Sequence, residues 1–264
     1  MRHRIVVLMV IGIGVAAPRL RAKDAYVLSV DAASGLRSDG TPQAWVTQTL
    51  FHNAGALPQS MRVVGASNGV VLPINDPLPI SPGRTVLAED LVGPFGAGVP
   101  LLVVHLEVGD SVAVASRLIS GAALGADIAT PPPSPSFGGI GLPVFYRLVP
   151  AGEEEVLPFV DLPGLTSRIN LSLYNAGDTV AHALVEIVSA CDDRVAATGT
   201  FSVPADTIEQ VPIGEPPGCD PGQSADGPTY LRVTLDQPGF AVAATRANGL
   251  DATIPVGTAG PVSP

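Results

Sequence analysis

This chain repeats itself, and that repetition limits what it can fold into more than any other feature. Phe51-His52-Asn53-Ala54-Gly55 is matched 122 residues later by Leu173-Tyr174-Asn175-Ala176-Gly177. The same offset pairs Pro82 with Pro204, Thr85 with Thr207, Val86 with Ile208 and Leu91 with Ile213. An offset of 129 pairs Leu102, Val104 and Leu106 with Leu231, Val233 and Leu235, and Ala115-Ser116-Arg117 with Ala244-Thr245-Arg246. Upstream it also pairs Val27-Leu28 with Val156-Leu157 and Gly35-Leu36 with Gly164-Leu165. The change of offset implies an insertion around Ser38 to Gln43 in the first copy and another around Gly214 to Pro228 in the second. Both fall in Gly/Pro/Asp-rich stretches, where loops absorb length changes at little cost. A chain organised this way builds one structural unit twice.

The unit is made of strands. Ile169, Leu171 and Leu173 alternate with Asn170 and Ser172, and Leu231, Val233 and Leu235 alternate with Arg232 and Thr234. Val185 and Ile187 flank Glu186. A period of two is that of a strand with one buried and one wet face. The runs are short and are punctuated by Asn68-Gly69, Pro82-Gly83 and Pro238-Gly239, which favour turns. With 29 Gly and 27 Pro in 264 residues, no stretch beyond the N-terminus sustains a helical apolar stripe, and Ala122 to Ala129 has room for one helical turn. About seven or eight strands in roughly 105–120 residues is the size of an antiparallel β-sandwich, in which two sheets hide their apolar faces on one another. The shared Asn-Ala-Gly reads as a turn after a core strand, with Asn capping it and Gly at positive φ. The shared Pro stiffens a second turn. Arg117 and Arg246 end the last strand of each copy, where a carboxylate is the expected partner.

The N-terminus reads as an export signal. Arg2, His3 and Arg4 precede the apolar run from Ile5 to Ala17, which is too short to span a bilayer comfortably; cleavage is expected after Ala22. The formal charge of the whole chain is -10, and without that segment 10 basic residues face 24 acidic ones. A surface of that sign repels nucleic-acid phosphates and anionic lipids. In an oxidising compartment the two cysteines, Cys191 and Cys219, are expected to form a disulfide, which the chain-entropy estimate values at roughly 3–4 kcal/mol.

A search for chemistry finds little. Gly65-Ala66-Ser67-Asn68-Gly69 fits the nucleophile-elbow pattern, but that elbow needs a following helix and an acid and a His set against Ser67. Pro-rich strand-like sequence follows instead. His52, His105 and His182 show no metal spacing, and Glu153-Glu154-Glu155 and Asp192-Asp193 read as solvated loops rather than a calcium loop. Asn170-Leu171-Ser172 is a glycosylation triplet inside a strand. No catalytic residue, metal or cofactor is expected. The aromatic residues Trp45, Tyr174 and Tyr230, with Tyr146, are the candidates for a sugar-binding platform.

In order along the chain, these landmarks resemble the tandem Ig-like β-sandwich repeat proteins exported by environmental bacteria. The matching motifs are Leu157-Pro158-Phe159-Val160, Gly35 and Gly164, the two Asn-Ala-Gly turns, Pro82-Gly83 with its counterpart Pro204-Ala205, and the closing Arg. The first copy lacks the Pro of the opening motif (Val27-Leu28-Ser29-Val30). The resemblance implies no catalytic residues. The expected organisation is a signal at 1–22, a β-sandwich at 23–120, a Pro/Gly-rich linker at 121–143 built around Pro131 to Pro135, a second β-sandwich at 144–255 and a tail at 256–264. The expected role is that of a secreted, non-enzymatic structural or adhesive protein, periplasmic or extracellular, meeting a protein or glycan at the cell envelope. It binds no nucleic acid and has no membrane span in the mature chain. A carbohydrate-binding module is the alternative.

Overall fold

A computed structural model describes residues 22–29, 32–36, 42–71, 76–88, 91, 101–120, 140–158, 167–189, 192–213, 229–247 and 253–257. Among these residues every regular element is a strand and every pairing is antiparallel. The all-β reading therefore holds, and the sheets pack face to face as in a β-sandwich. The signal segment up to residue 21, Cys191, Cys219 and the stretch around Pro131 to Pro135 lie outside the described residues.

The first set of strands is β1 (Ala22–Ser29), β2 (Ala32–Leu36), β3 (Pro42–Asn53), β4 (Gln59–Ala66), β5 (Leu78–Ile80), β6 (Thr85–Ala88), β7 (Leu102–Gly109), β8 (Val112–Ser120), β9 (Ile140–Leu142) and β10 (Val144–Phe145). They form one sheet in the order β10-β1-β7-β4-β5 and another in the order β2-β3-β8-β9, with β6 also on β3. The second set is β11 (Glu154–Pro158), β12 (Ser167–Asn175), β13 (Ala181–Ser189), β14 (Val195–Val203), β15 (Thr207–Ile213), β16 (Thr229–Leu235), β17 (Gly239–Ala247) and β18 (Thr253–Gly257). Its sheets run β11-β16-β13-β14 and β15-β12-β17-β18. The orders β1-β7-β4-β5 and β11-β16-β13-β14 are the same sheet met twice.

The alternating sequence explains the layers. On β13, Ala181, Ala183, Val185 and Ile187 are buried while His182 and Leu184 face out. Each set closes on its own apolar cluster. One holds Val27, Phe51, Leu106 and Val114; the other holds Leu157, Leu173, Val233 and Ala241. A fully buried side chain such as Phe51 contributes about 1.5–3 kcal/mol relative to leaving it in water.

The shared asparagines are built alike. Asn53 and Asn175 are both fully buried. Asn53 Nδ2 donates to the carbonyls of Leu57 (2.8 Å) and Ile80 (2.9 Å), and its Oδ1 accepts from Gly55 N–H (2.9 Å). Asn175 Nδ2 donates to Thr179 (2.7 Å), Val203 (3.0 Å) and Pro204 (3.0 Å), and its Oδ1 accepts from Gly177 N–H (2.8 Å). Each side chain thus ties the end of a core strand to the turn after it and to the opposite sheet. The glycine is needed for space, not for positive φ as expected. A Cβ on Gly177 would lie 2.6 Å from Gln237 Oε1, and one on Gly55 would collide with Ser111.

The register corrects the sequence comparison in three places. Val114 lies opposite Phe51, and Ala241 lies opposite Leu173, so the last two strands correspond at an offset of 127 and not 129. Arg117 then corresponds to Ala244. Its guanidinium donates to Gln48 Oε1 (2.9 and 2.7 Å) rather than to a carboxylate. A slip of two residues leaves every side chain on its own face, so alternation does not reveal it. Second, Val27 opposes Val104 and Leu157 opposes Leu231, so Val27 matches Leu157; Val156, its expected match, is 46% exposed. Third, the turn after Ile80 matches the turn after Val203. Gly83 (φ 65°) follows Pro82 in the first, whereas Asp206 (φ 48°) takes that place in the second and Pro204 stands one position early.

Two boundaries also move. Residues 140–145, expected as linker end and start of the second unit, pair with the first set: Leu142 opposes Ser116 and Phe145 opposes Tyr26. Pro143, which has no N–H to give a ladder, stands where the chain passes from one sheet to the other. At the C-terminus β18 runs to Gly257, opposite Val242, so the tail does not begin at Val256.

Asn175→Ala is expected to destabilise the protein by about 2–4 kcal/mol, because several buried partners lose their hydrogen bonds together. Asn175→Asp, equal in size, is expected to destabilise it too, since a carboxylate would face three carbonyl oxygens. Urea unfolding monitored by far-UV circular dichroism checks both, and a wild-type midpoint for Asn175→Asp would contradict the assignment.

Candidate functional site

The two strand sets meet along a third apolar cluster that neither needs for its own core. Tyr26, Leu28, Val103 and Phe145 come from the first set, and Tyr174, Ile208, Phe240 and Val242 from the second. Phe145 stacks on Phe240 (centroids 4.0 Å apart, 12° between planes), Tyr174 tilts against Phe240 (5.0 Å), and Tyr26 lies 6.4 Å from Tyr174. Gly239 sits where β17 crosses the backbone of Tyr174, and a Cβ there would run into the Tyr174 carbonyl oxygen.

A polar clasp lies beside this seam. Asn68, in the left-handed region at φ 62°, donates its N–H to Asp206 O (2.8 Å) and its Nδ2 to Leu101 O (2.9 Å). Its Oδ1 accepts from Ile208 N–H (2.9 Å). The Asn68-Gly69 turn expected from the sequence is present, and it also joins the two halves of the chain.

Between clasp and seam opens a cleft of about 330 Å³ whose walls include Tyr26, Ser67, His105, Leu148, Tyr174 and Asp206. A serine, a histidine and an aspartate around one cleft invite comparison with a hydrolase, and nothing in the spacing of the chain brings His105 near Ser67. The bonding is of another kind. Ser67 is buried; its N–H donates to Val103 O (3.0 Å) and its Oγ accepts from Val103 N–H (2.9 Å). It extends the β4–β7 ladder by one residue and is followed by a turn, not by the helix an elbow requires. His105 Nε2 lies 2.8 Å from Asp24 Oδ1, and its ring stacks on Tyr26 at 4.6 Å. Asp206 Oδ1 accepts from Tyr174 OH at 3.3 Å.

The electrostatics follow from burial. Burial pushes the Tyr174 hydroxyl far above its ordinary range, and the Asp206 charge adds to the shift. Burial, with Asp24 beside it, also raises Tyr26. Both phenols therefore remain protonated donors. Asp206 is itself raised, because burial outweighs the Tyr174 hydrogen bond and the His105 charge, both of which pull it down. What the cleft can do chemically is donate from hydroxyls and accept at one carboxylate, that of Asp206. Ser67, His105 and Asp206 hold three different partners and form no relay.

The expected platform residues are not brought together. Tyr174 is buried in the seam at 5% exposure and lines the cleft. Tyr230 lies on β16 in a different sheet and donates to Asp193 Oδ1 (3.3 Å). Trp45 lies on β3 opposite Ala32 and Ser120; its side chain lies outside the described residues. Tyr146 is 42% exposed, holds both backbone groups of Val114 through its hydroxyl, and carries Lys23 Nζ 4.6 Å above its ring. His52 and His182 face solvent as expected. The acidic run is not uniform: Glu153 and Glu154 are exposed, but Glu155 is buried and its carboxylate accepts from Ala241 N–H (2.7 Å). Among the described residues no three metal-ligating side chains cluster, and no helix is long and apolar enough to cross a membrane.

The sequence reading missed Tyr26, Phe145, Asp206 and Phe240. Each sits in a pattern that reads as an ordinary strand or turn position, and the contact that gives it a role lies far away in the chain. No family of proteins, no curated protein and no solved structure matches this chain.

Because the Asp206 carboxyl is raised in the folded state, its stabilising effect is present in acid and is lost as pH rises through its folded value. Asp206→Asn keeps an acceptor for Tyr174 and tolerates positive φ. It is expected to be at least as stable as wild type near neutral pH, with the difference shrinking as pH falls into the carboxylate range. Thermal melts across that range check this. A variant less stable than wild type at neutral pH and equal to it in acid would reverse the sign.

Proposed function

We propose that this chain is an exported, non-enzymatic structural or adhesive protein that works outside the cytoplasm. The observation that carries this reading is the use made of its polar side chains. Asn53 and Asn175 hold strand ends, Ser67 completes a ladder, Asn68 joins the halves, and Arg117 anchors Gln48. Groups committed to backbone and to each other give a stiff element. The N-terminal charge and apolar run, the acidic balance and the presence of two cysteines favour work outside the cytoplasm, with the first residue of the mature chain at Lys23 and Cys191 joined to Cys219.

The test joins location to reactivity. Cell fractionation with N-terminal sequencing should find the chain outside the cytoplasm and starting at Lys23, and mapping without reductant should find the disulfide. A fluorophosphonate probe should leave Ser67 unlabelled, while Ser67→Ala lowers stability by about 1–2 kcal/mol through the unpaired Val103 N–H. Turnover of an ester, peptide or glycoside that a single substitution abolishes without unfolding the chain would overturn the proposal.

A further inference from the structure

The two strand sets use the same sheet order but end it differently. In the first set the sheet ends on β5, three residues long, with Pro79 inside it and Asp76-Pro77 before it. That is a blunted edge: short, proline-bearing and charged. In the second set the same place is taken by β14, nine residues reading Val-Ala-Ala-Thr-Gly-Thr-Phe-Ser-Val, with no proline and no charge. Among the described residues β14 pairs on one side only, with β13. Most of its length is exposed: residues 195–198, Thr200 and Ser202 all face solvent.

We propose that β14 is a self-association edge, on which a second copy of this chain adds its own β14 antiparallel across a two-fold axis. Two observations favour a second copy as the occupant. Full overlap of the nine residues fixes the register, with Gly199 on the axis. It sets Ala197 of one copy against Phe201 of the other. Both have core positions as partners on β13: Phe201 opposes Ala183 and Ala197 opposes Ile187. Beyond Ala197 a bulge between Ile187 and Val188 shifts Val195 onto Val188 and off this row. Burial fails toward the start of the row, where Ala197 is exposed, and the partner's Phe201 arrives there, a large residue against a small one. Charge gives the second argument. Two chains of formal charge -10 repel one another over most of their surfaces, and β14 offers a stretch without carboxylates. The product is an eight-stranded sheet running through both copies, with the backbone groups along both edges paired.

Sedimentation of the full chain from micromolar to near-millimolar concentration should show its average mass rising toward twice the chain mass. Hydrogen exchange at the two ends of that range should gain protection in 195–203 and not in 78–80. Thr198→Lys with Thr200→Lys puts charges on the solvent face of the strand, opposite one another across the axis. This variant should stay a monomer at every concentration while keeping the wild-type melting temperature of the dilute protein. A wild type that remains monomeric throughout, a dimer whose protection lies elsewhere, or a dimer that survives both lysines would each overturn the proposal. Binding of a different extended chain at 195–203 with no self-association would overturn it as well.

Discussion

A buried amide must satisfy every one of its hydrogen-bonding groups or cost the fold the desolvation it suffered. Asn53 and Asn175 meet that demand in the same way, and much of the architecture follows. Each sits at the end of a core strand and holds three segments: its own strand, the tight turn after it, and the strand arriving in the facing sheet. The distance between two sheets is thereby set at one point by hydrogen bonds of fixed length. Apolar packing, which is not directional, fills the rest. The glycine two residues on belongs to the same device, because the side chain of the next hairpin fills the space its Cβ would take.

The junction between the strand sets rests on different physics. Stacked and tilted aromatic rings supply area, and Asn68 supplies direction. Its side chain and backbone replace one residue's worth of strand pairing, so the second half meets the first as a ladder would. Tyr26 and Tyr174 keep their hydroxyl protons because burial disfavours the phenolate, and Tyr174 passes its proton's hydrogen bond to Asp206. The polar rim of the cleft lies where the two strand sets meet.

Much of the fold was legible in the sequence. Alternation at Leu171 to Leu173 and at Leu231 to Leu235 marks strands that have one buried face, and Asn68-Gly69 and Pro82-Gly83 turn where they were expected to. The cleft was not legible. Ser67 and His105 carried a suggestive pattern whose meaning depended on which hydrogen bonds they make, and Tyr174 read as a surface aromatic although it packs where the two strand sets meet. Glu155 looked like one of three solvated acids. Its burial is a consequence of strand β11 pointing that one carboxylate across the core to Ala241.

By itself the sequence determined the local and the periodic: strand class, turn positions, the doubling of the unit and the capping role of its asparagines. Those depend on backbone preference and on a side-chain period of two, which are properties of neighbouring residues. Only the tertiary structure decided the register of the closing strands, the allegiance of residues 140–145, the aromatic seam and which edge strand pairs on one side only among the described residues. A period of two is unchanged by a slip of two residues, and the bonds that fix the rest join groups as far apart as Asn68 and Ile208, 140 positions along the chain.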